Sequence, residues 1–135
     1  MRYFIYLLLV YISYLDLKET YIYDRDLLIL FLLIFFSTKE GMYSSYLGMG
    51  IFSIPFFILL IIEYHIKYEL IGLGDVKLII IFGIYFGYRD AYFLLSFYQV
   101  MFLSSLIYGL ILRKRYVPFA PAMCLSFVFH DVMYV

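Results

Sequence analysis

The sequence predicts an all-α, polytopic integral membrane protein: a bundle of six transmembrane helices joined by short loops. Three observations lead there. Of the 135 residues, 67% are hydrophobic and only 15% are charged, against roughly 45–50% and about 25% in soluble domains. A chain this small has too much surface for its volume to hide two thirds of its residues in a core, which excludes a soluble globule. The same apolar content excludes a disordered chain. Finally, the apolar residues gather in six runs, at roughly 3–15, 27–36, 42–62, 76–88, 91–112 and 116–129.

The runs can be justified in order. The first follows Arg2 and ends at Ser13-Tyr14-Leu15-Asp16. No small-x-small cleavage site closes it, so we expect it to stay as a span rather than leave as a signal peptide. A spanning helix needs about 20 residues, so the second run must recruit the polar stretch from Asp24 to Leu28. The third is long enough unaided, and Pro55 within it is expected to kink it. In the fourth, Gly83 and Gly87 share one helix face and suit close packing against a neighbour. The fifth is again long enough alone. Pro118 and Pro121 open the sixth, where a helix start tolerates missing N–H groups. Six spans of about 20 residues would use about 120 positions. Residues 1–135 are therefore expected to form one membrane domain with no room for a soluble one.

Charge and cysteine counts narrow the function classes. Ten basic and ten acidic residues cancel, which removes any bulk electrostatic case for nucleic acid. The lone Cys124 can form neither an intrachain disulfide nor a thiolate zinc cluster, and we expect it to be a small core residue. No metal or cofactor is expected. Tyr3, Tyr21, Tyr23, Tyr43, Tyr64, Tyr68, Tyr88 and Tyr116 lie near run ends, as in an interfacial anchoring belt. With six spans, Lys18, Arg25, Lys67, Lys77, Arg113, Lys114 and Arg115 share one side, and Arg2, Lys39 and Arg89 the other. Seven against three places the first group in the cytoplasm. The polar stretches 16–26 and 63–77 then share the cytoplasmic face. They carry seven of the ten acidic residues: Asp16, Glu19, Asp24, Asp26, Glu63, Glu69 and Asp75.

Most carboxylates at a membrane boundary are solvated caps or ion-pair partners. Asp75 stands apart because it sits in Gly72-Leu73-Gly74-Asp75-Val76-Lys77-Leu78, just before a run of Ile and Phe. Two glycines permit a tight turn and close approach to a ligand. On periodicity alone, Asp75 reads as a helix N-cap.

Gly72-Leu73-Gly74-Asp75 resembles the G-x-G-D signature of intramembrane aspartic proteases. The string from Glu69 to Leu78 is similar to that of the type IV prepilin peptidase branch. Leu15-Asp16-Leu17-Lys18, followed by Ile22-Tyr23-Asp24, resembles that family's first-aspartate segment. Val117-Pro118-Phe119-Ala120-Pro121 is similar to its closing segment, and the three occur in the family's order across residues 15–121. Tyr23 stands where the family has proline, and Ala120 where it has glycine. The paired-cysteine domain of the longer relatives has no counterpart, so the resemblance implies a peptidase-only form without methyltransferase activity.

What this resemblance implies is a membrane endopeptidase of the prokaryotic inner membrane, serving pilus assembly or protein secretion. It would cleave the basic leader of a prepilin or pilin-like protein at the cytoplasmic face, usually after a glycine. Asp16 and Asp75 would be the catalytic pair. One carboxylate takes a proton from water while the other donates one to the carbonyl oxygen, and two carboxyls close together share a proton. Gly72, Gly74, Lys77, Glu69 and Asp24 would support the site or bind substrate. Lys77 lies about 200° around a helix from Asp75, so we expect it to snorkel to headgroups. Asp24 equally suits a turn, and Glu69 could meet a basic leader or pair with Lys67. His65 and His130 have no ligand spacing and are expected at the interface. Two rival readings belong to other classes. An ion or proton conduit would want acids deep in the spans, and here the runs are nearly free of them. A non-catalytic membrane scaffold of the same fold would keep the helices without cleavage.

Overall fold

The computed structural model describes residues 1–113 and 118–134. Among them are six α-helices and no strand: α1 (Arg2–Glu19), α2 (Asp24–Ser37), α3 (Met42–Ile66), α4 (Leu73–Phe86), α5 (Ala91–Leu112) and α6 (Ala120–Tyr134). Each predicted run overlaps one of these helices. Lys114, Arg115, Tyr116 and Val117, and with them part of the closing motif and of the charge asymmetry, lie outside the described residues.

Local chemistry sets the boundaries. Helix α1 outruns its apolar stretch to take in Asp16 and Lys18, then stops where Thr20 turns left-handed at φ 52°. Helix α2 begins with Asp24, Arg25 and Asp26, the expected recruitment of polar flank, and its two acids favour the positive helix start. Helix α3 runs unbroken through Pro55, whose missing N–H leaves the Ile51 carbonyl without its helical donor. It ends at Lys67, left-handed at φ 58°. Helix α4 stops at Gly87, φ 66°, a conformation that glycine adopts without a Cβ penalty. Helix α5 is capped by Asp90, whose Oδ1 accepts from Phe93 N at 3.3 Å.

Helices α3 and α5 are long and apolar enough to cross a membrane. The 14 residues of α2 and of α4 reach only about 21 Å, short of the ~30 Å hydrocarbon layer. Much apolar surface is nonetheless outward. Leu7 and Val10 of α1 are each 67% exposed, and Leu110 and Ile111 of α5 are 69% and 74% exposed. Water disfavours apolar surface on this scale.

The chain divides into two compact units. The first holds Met1 and Tyr23–Arg89, with α4 packed on both α2 and α3. Gly48 and Gly83 bring α3 and α4 into backbone contact: a Cβ added to Gly83 would lie 2.6 Å from Gly48 O. Phe52 stacks on Phe86 beside them at 5.9 Å between ring centres. Gly83 and Gly87 both pack as their spacing predicts, since a Cβ on Gly48 would run into the carbonyl oxygen of each, and Gly87 makes the turn as well.

The second unit holds Arg2–Ile22 and Asp90–Val135, with α6 packed on both α1 and α5. Asp131 of α6 is wholly buried, accepting from Tyr6 Oη and facing Arg2 Nε at 3.3 Å. His130 corrects the expectation of an interfacial histidine. It is wholly buried, with Nδ1 2.9 Å from Ser126 O and Nε2 3.0 Å from Ser96 Oγ, and its ring stacks on Tyr134. A carbonyl only accepts, so Nδ1 carries a proton and donates to it. Both ring nitrogens are satisfied, which is what makes burial of the imidazole tolerable. His65 is exposed, and Cys124 is buried as expected.

Candidate active site

Asp16 lies in the last turn of α1, where a carboxylate meets the negative end of the helix dipole. Its position is unfavourable for α1 and favourable for something else. The side chain is buried, and Oδ2 accepts from Ala120 N at 3.2 Å. Ala120 is the first residue of α6, so the carboxylate sits at the positive start of that helix. Pro121 follows and has no N–H to offer, which makes the Ala120 donor one of the few available in that first turn. The first-aspartate segment and the closing segment, 104 residues apart, therefore meet. Ala120 is wholly buried, and its methyl group is accommodated where the family pattern has glycine.

Asp75 belongs to the first unit and occupies the first turn of α4. The helix is capped by Gly72 rather than by Asp75, which corrects the N-cap expectation. Asp75 is instead the third residue of the helix, buried, and at the favourable end of the dipole. Neither Gly72 nor Gly74 has a positive φ, so the tight turn is not theirs; the left-handed residue in this loop is Lys67. What Gly72 provides is space. An added Cβ would meet a single atom, Asp75 Oδ2 at 3.5 Å, so the backbone beside this carboxylate is bare and approachable.

Lys77 does not snorkel. Its Nζ lies 2.6 Å from Asp24 Oδ1, tying the start of α2 to the start of α4. The expectation failed because only intrahelical partners were weighed, and the acid comes from another helix. Asp24 is the first residue of α2 rather than part of a turn. Glu69 is exposed in the loop before α4.

Two acids in these stretches have roles the sequence did not suggest. Glu63 Oε2 accepts from the backbone N–H groups of Leu70 and Ile71, at 3.1 and 3.2 Å. Asp26 is buried, with Oδ1 3.5 Å from Arg25 Nε, and Oδ2 has no hydrogen-bond partner among the described residues. The one available signal was Glu63's place in the last turn of a helix, where an acid does not help the helix itself.

Each unit holds one of the two candidate acids as a buried carboxylate at a helix end, Asp16 with a backbone donor and Asp75 beside the bare backbone of Gly72. Such groups can exchange protons with a bound water or peptide. Among the described residues, no group of three or more His, Cys, Asp or Glu side chains could hold a metal ion. The model of the type IV leader peptidase family matches residues 3–113, a span that includes Asp16 and Asp75 and ends before Ala120. No curated protein and no solved structure matches the chain.

Proposed function

Because the chain belongs to the type IV leader peptidase family, we propose that it is a membrane-embedded aspartic endopeptidase. On this reading it removes the short basic leader of a prepilin or pilin-like protein, a step in pilus assembly or protein secretion. Cleavage takes place at the cytoplasmic face of a prokaryotic inner membrane, in a multi-pass, six-span bundle. Residues 1–135 act as one peptidase domain.

The observation that carries the reading is the pairing of motif and placement. Asp16 and Asp75 both fall within the family match, and both are buried carboxylates at helix ends. In the proposed mechanism they act on one bound water and one scissile amide. The ionised member takes the water proton as hydroxide adds to the carbonyl carbon. The protonated member donates to the carbonyl oxygen, and the proton taken from water later reaches the leaving amine. Bare backbone at Gly72 lets the substrate chain approach, Gly74 supports the site from within α4, and the Asp24–Lys77 pair fixes the start of that helix. Glu69, exposed nearby, suits a basic leader.

Leader cleavage of a co-expressed prepilin, read by gel shift, tests this. The wild type cleaves, while Asp16→Asn and Asp75→Asn reach the membrane but lose at least about a hundredfold, the scale of general acid–base catalysis. Cleavage by Asp16→Asn would transfer its role to Asp24. A wild type inactive on several prepilins would leave the non-catalytic scaffold.

A further inference from the structure

We propose that Glu63 is the positioning residue for Asp75, setting the loop that presents the G-x-G-D turn. The inference rests on Asp75 being catalytic, as argued above.

Helix α3 ends at Ile66 and α4 begins at Leu73, so the connection is six residues, 67–72. It contains no proline. Glu63 holds it from two directions. Its backbone carbonyl accepts from Lys67 N at 2.9 Å, closing the helix as the chain turns left-handed. Its Oε2 then reaches across the loop to the N–H groups of Leu70 and Ile71. The loop is thus pinned at both its beginning and its end by one residue. Ile71 is buried and immediately precedes Gly72, the cap of α4. Val76 N donates to Gly72 O at 3.3 Å, so the cap and the Asp75 turn are continuous with the pinned segment.

A carboxylate is the right group for this task. Hydrogen bonds to an ionised acceptor are roughly twice as strong as neutral ones. Two adjacent N–H groups form a small anion-binding concavity. The position also costs α3 something, because an acid in its last turn opposes the helix dipole. Placement of a proton-transfer group must be accurate, and a misplacement of about 1 Å can cost on the order of a hundredfold.

The test compares Glu63→Gln, Glu63→Asp and Glu63→Ala in the full chain, with Asp75→Asn alongside. It reads prepilin cleavage at several substrate concentrations and amide hydrogen exchange at Leu70 and Ile71. Glutamine keeps the reach and an acceptor oxygen. Aspartate keeps the charge but is one methylene short. Positioning requires that Glu63→Asp and Glu63→Ala each lose at least about tenfold in kcat at unchanged KM, with faster exchange at both amides. Glu63→Gln, which keeps the reach but accepts more weakly, falls between the wild type and Glu63→Asp in both kcat and exchange. If Glu63→Asp retains activity while Glu63→Gln raises KM, Glu63 attracts the basic leader by charge and the proposal fails. It also fails if exchange quickens in Glu63→Ala while kcat holds. Should Asp75→Asn cleave like the wild type, the reading of Asp75 is what has failed, and the exchange data still report the tie. Glu63→Asp preserves polarity, so the comparison stands even if Glu63→Ala does not fold.

Discussion

Asp16 and Glu63 share an oddity: each is an acid in the last turn of its helix, and each aims its carboxylate at backbone N–H groups outside it. For Asp16 the donor is Ala120 N, and any residue at 120 except proline leaves that donor in place. Ala120→Gly, the family residue, is accordingly expected to keep leader cleavage within about threefold. It should lower stability by about 1 kcal/mol, the worth of one buried methyl group, as read by thermal unfolding in detergent. Lys77→Met should cost less than about 1 kcal/mol in the same assay, because its ion pair with Asp24 is largely exposed. Asp16 and Asp75 were legible in the sequence because glycines and ordered segments surround them. Glu63, Asp131 and His130 were not. Glu63 meets N–H groups across a loop, Asp131 meets residues near the opposite end of the chain, and His130 needs Ser96 of another helix as well as Ser126 of its own, contacts that folding creates.

The contact of α3 with α4 turns on glycines whose neighbours differ sharply. A Cβ on Gly83 would press on the Gly48 carbonyl, backbone that cannot swing aside, whereas one on Gly50 would meet nothing within 4 Å. Gly83→Ala should therefore destabilise by about 1–3 kcal/mol through overpacking. Gly50→Ala should be neutral or stabilise by up to about 1 kcal/mol, since alanine is the better helix former. Thermal unfolding of the two variants side by side checks the contrast. At this scale the sequence was informative where composition alone decides. The apolar runs 42–62 and 91–112 fall within α3 and α5, and these are the helices long enough to cross. Boundaries drifted where polar residues join a helix: α1 gains Asp16 to Glu19, and α4 gains Leu73 to Asp75 ahead of its run. Both additions place a candidate catalytic acid inside a helix rather than on a loop, which the hydropathy pattern hid.

Across the whole molecule, labelling from each side tests which loops share a face. Single cysteines introduced at Lys18 and Lys67 should react with a membrane-impermeant maleimide only from the cytoplasm, and those at Lys39 and Arg89 only from the opposite side. The native Cys124 is buried and should contribute little background. Labelling of Lys18 and Lys67 from opposite sides would separate Asp16 from Asp75 and end the dyad. The backbone contact between Gly48 and Gly83 has one more consequence. With no side chain between the two backbones at that point, a tilt of α3 would be passed on to α4, whose first turn carries Asp75. The 25 residues of α3 extend about 37 Å at 1.5 Å each, longer than a ~30 Å hydrocarbon layer, so in a bilayer α3 must lean or protrude. On the function proposed above, bilayer thickness would then bear on the angle of the first turn of α4, and so on where Asp75 is held.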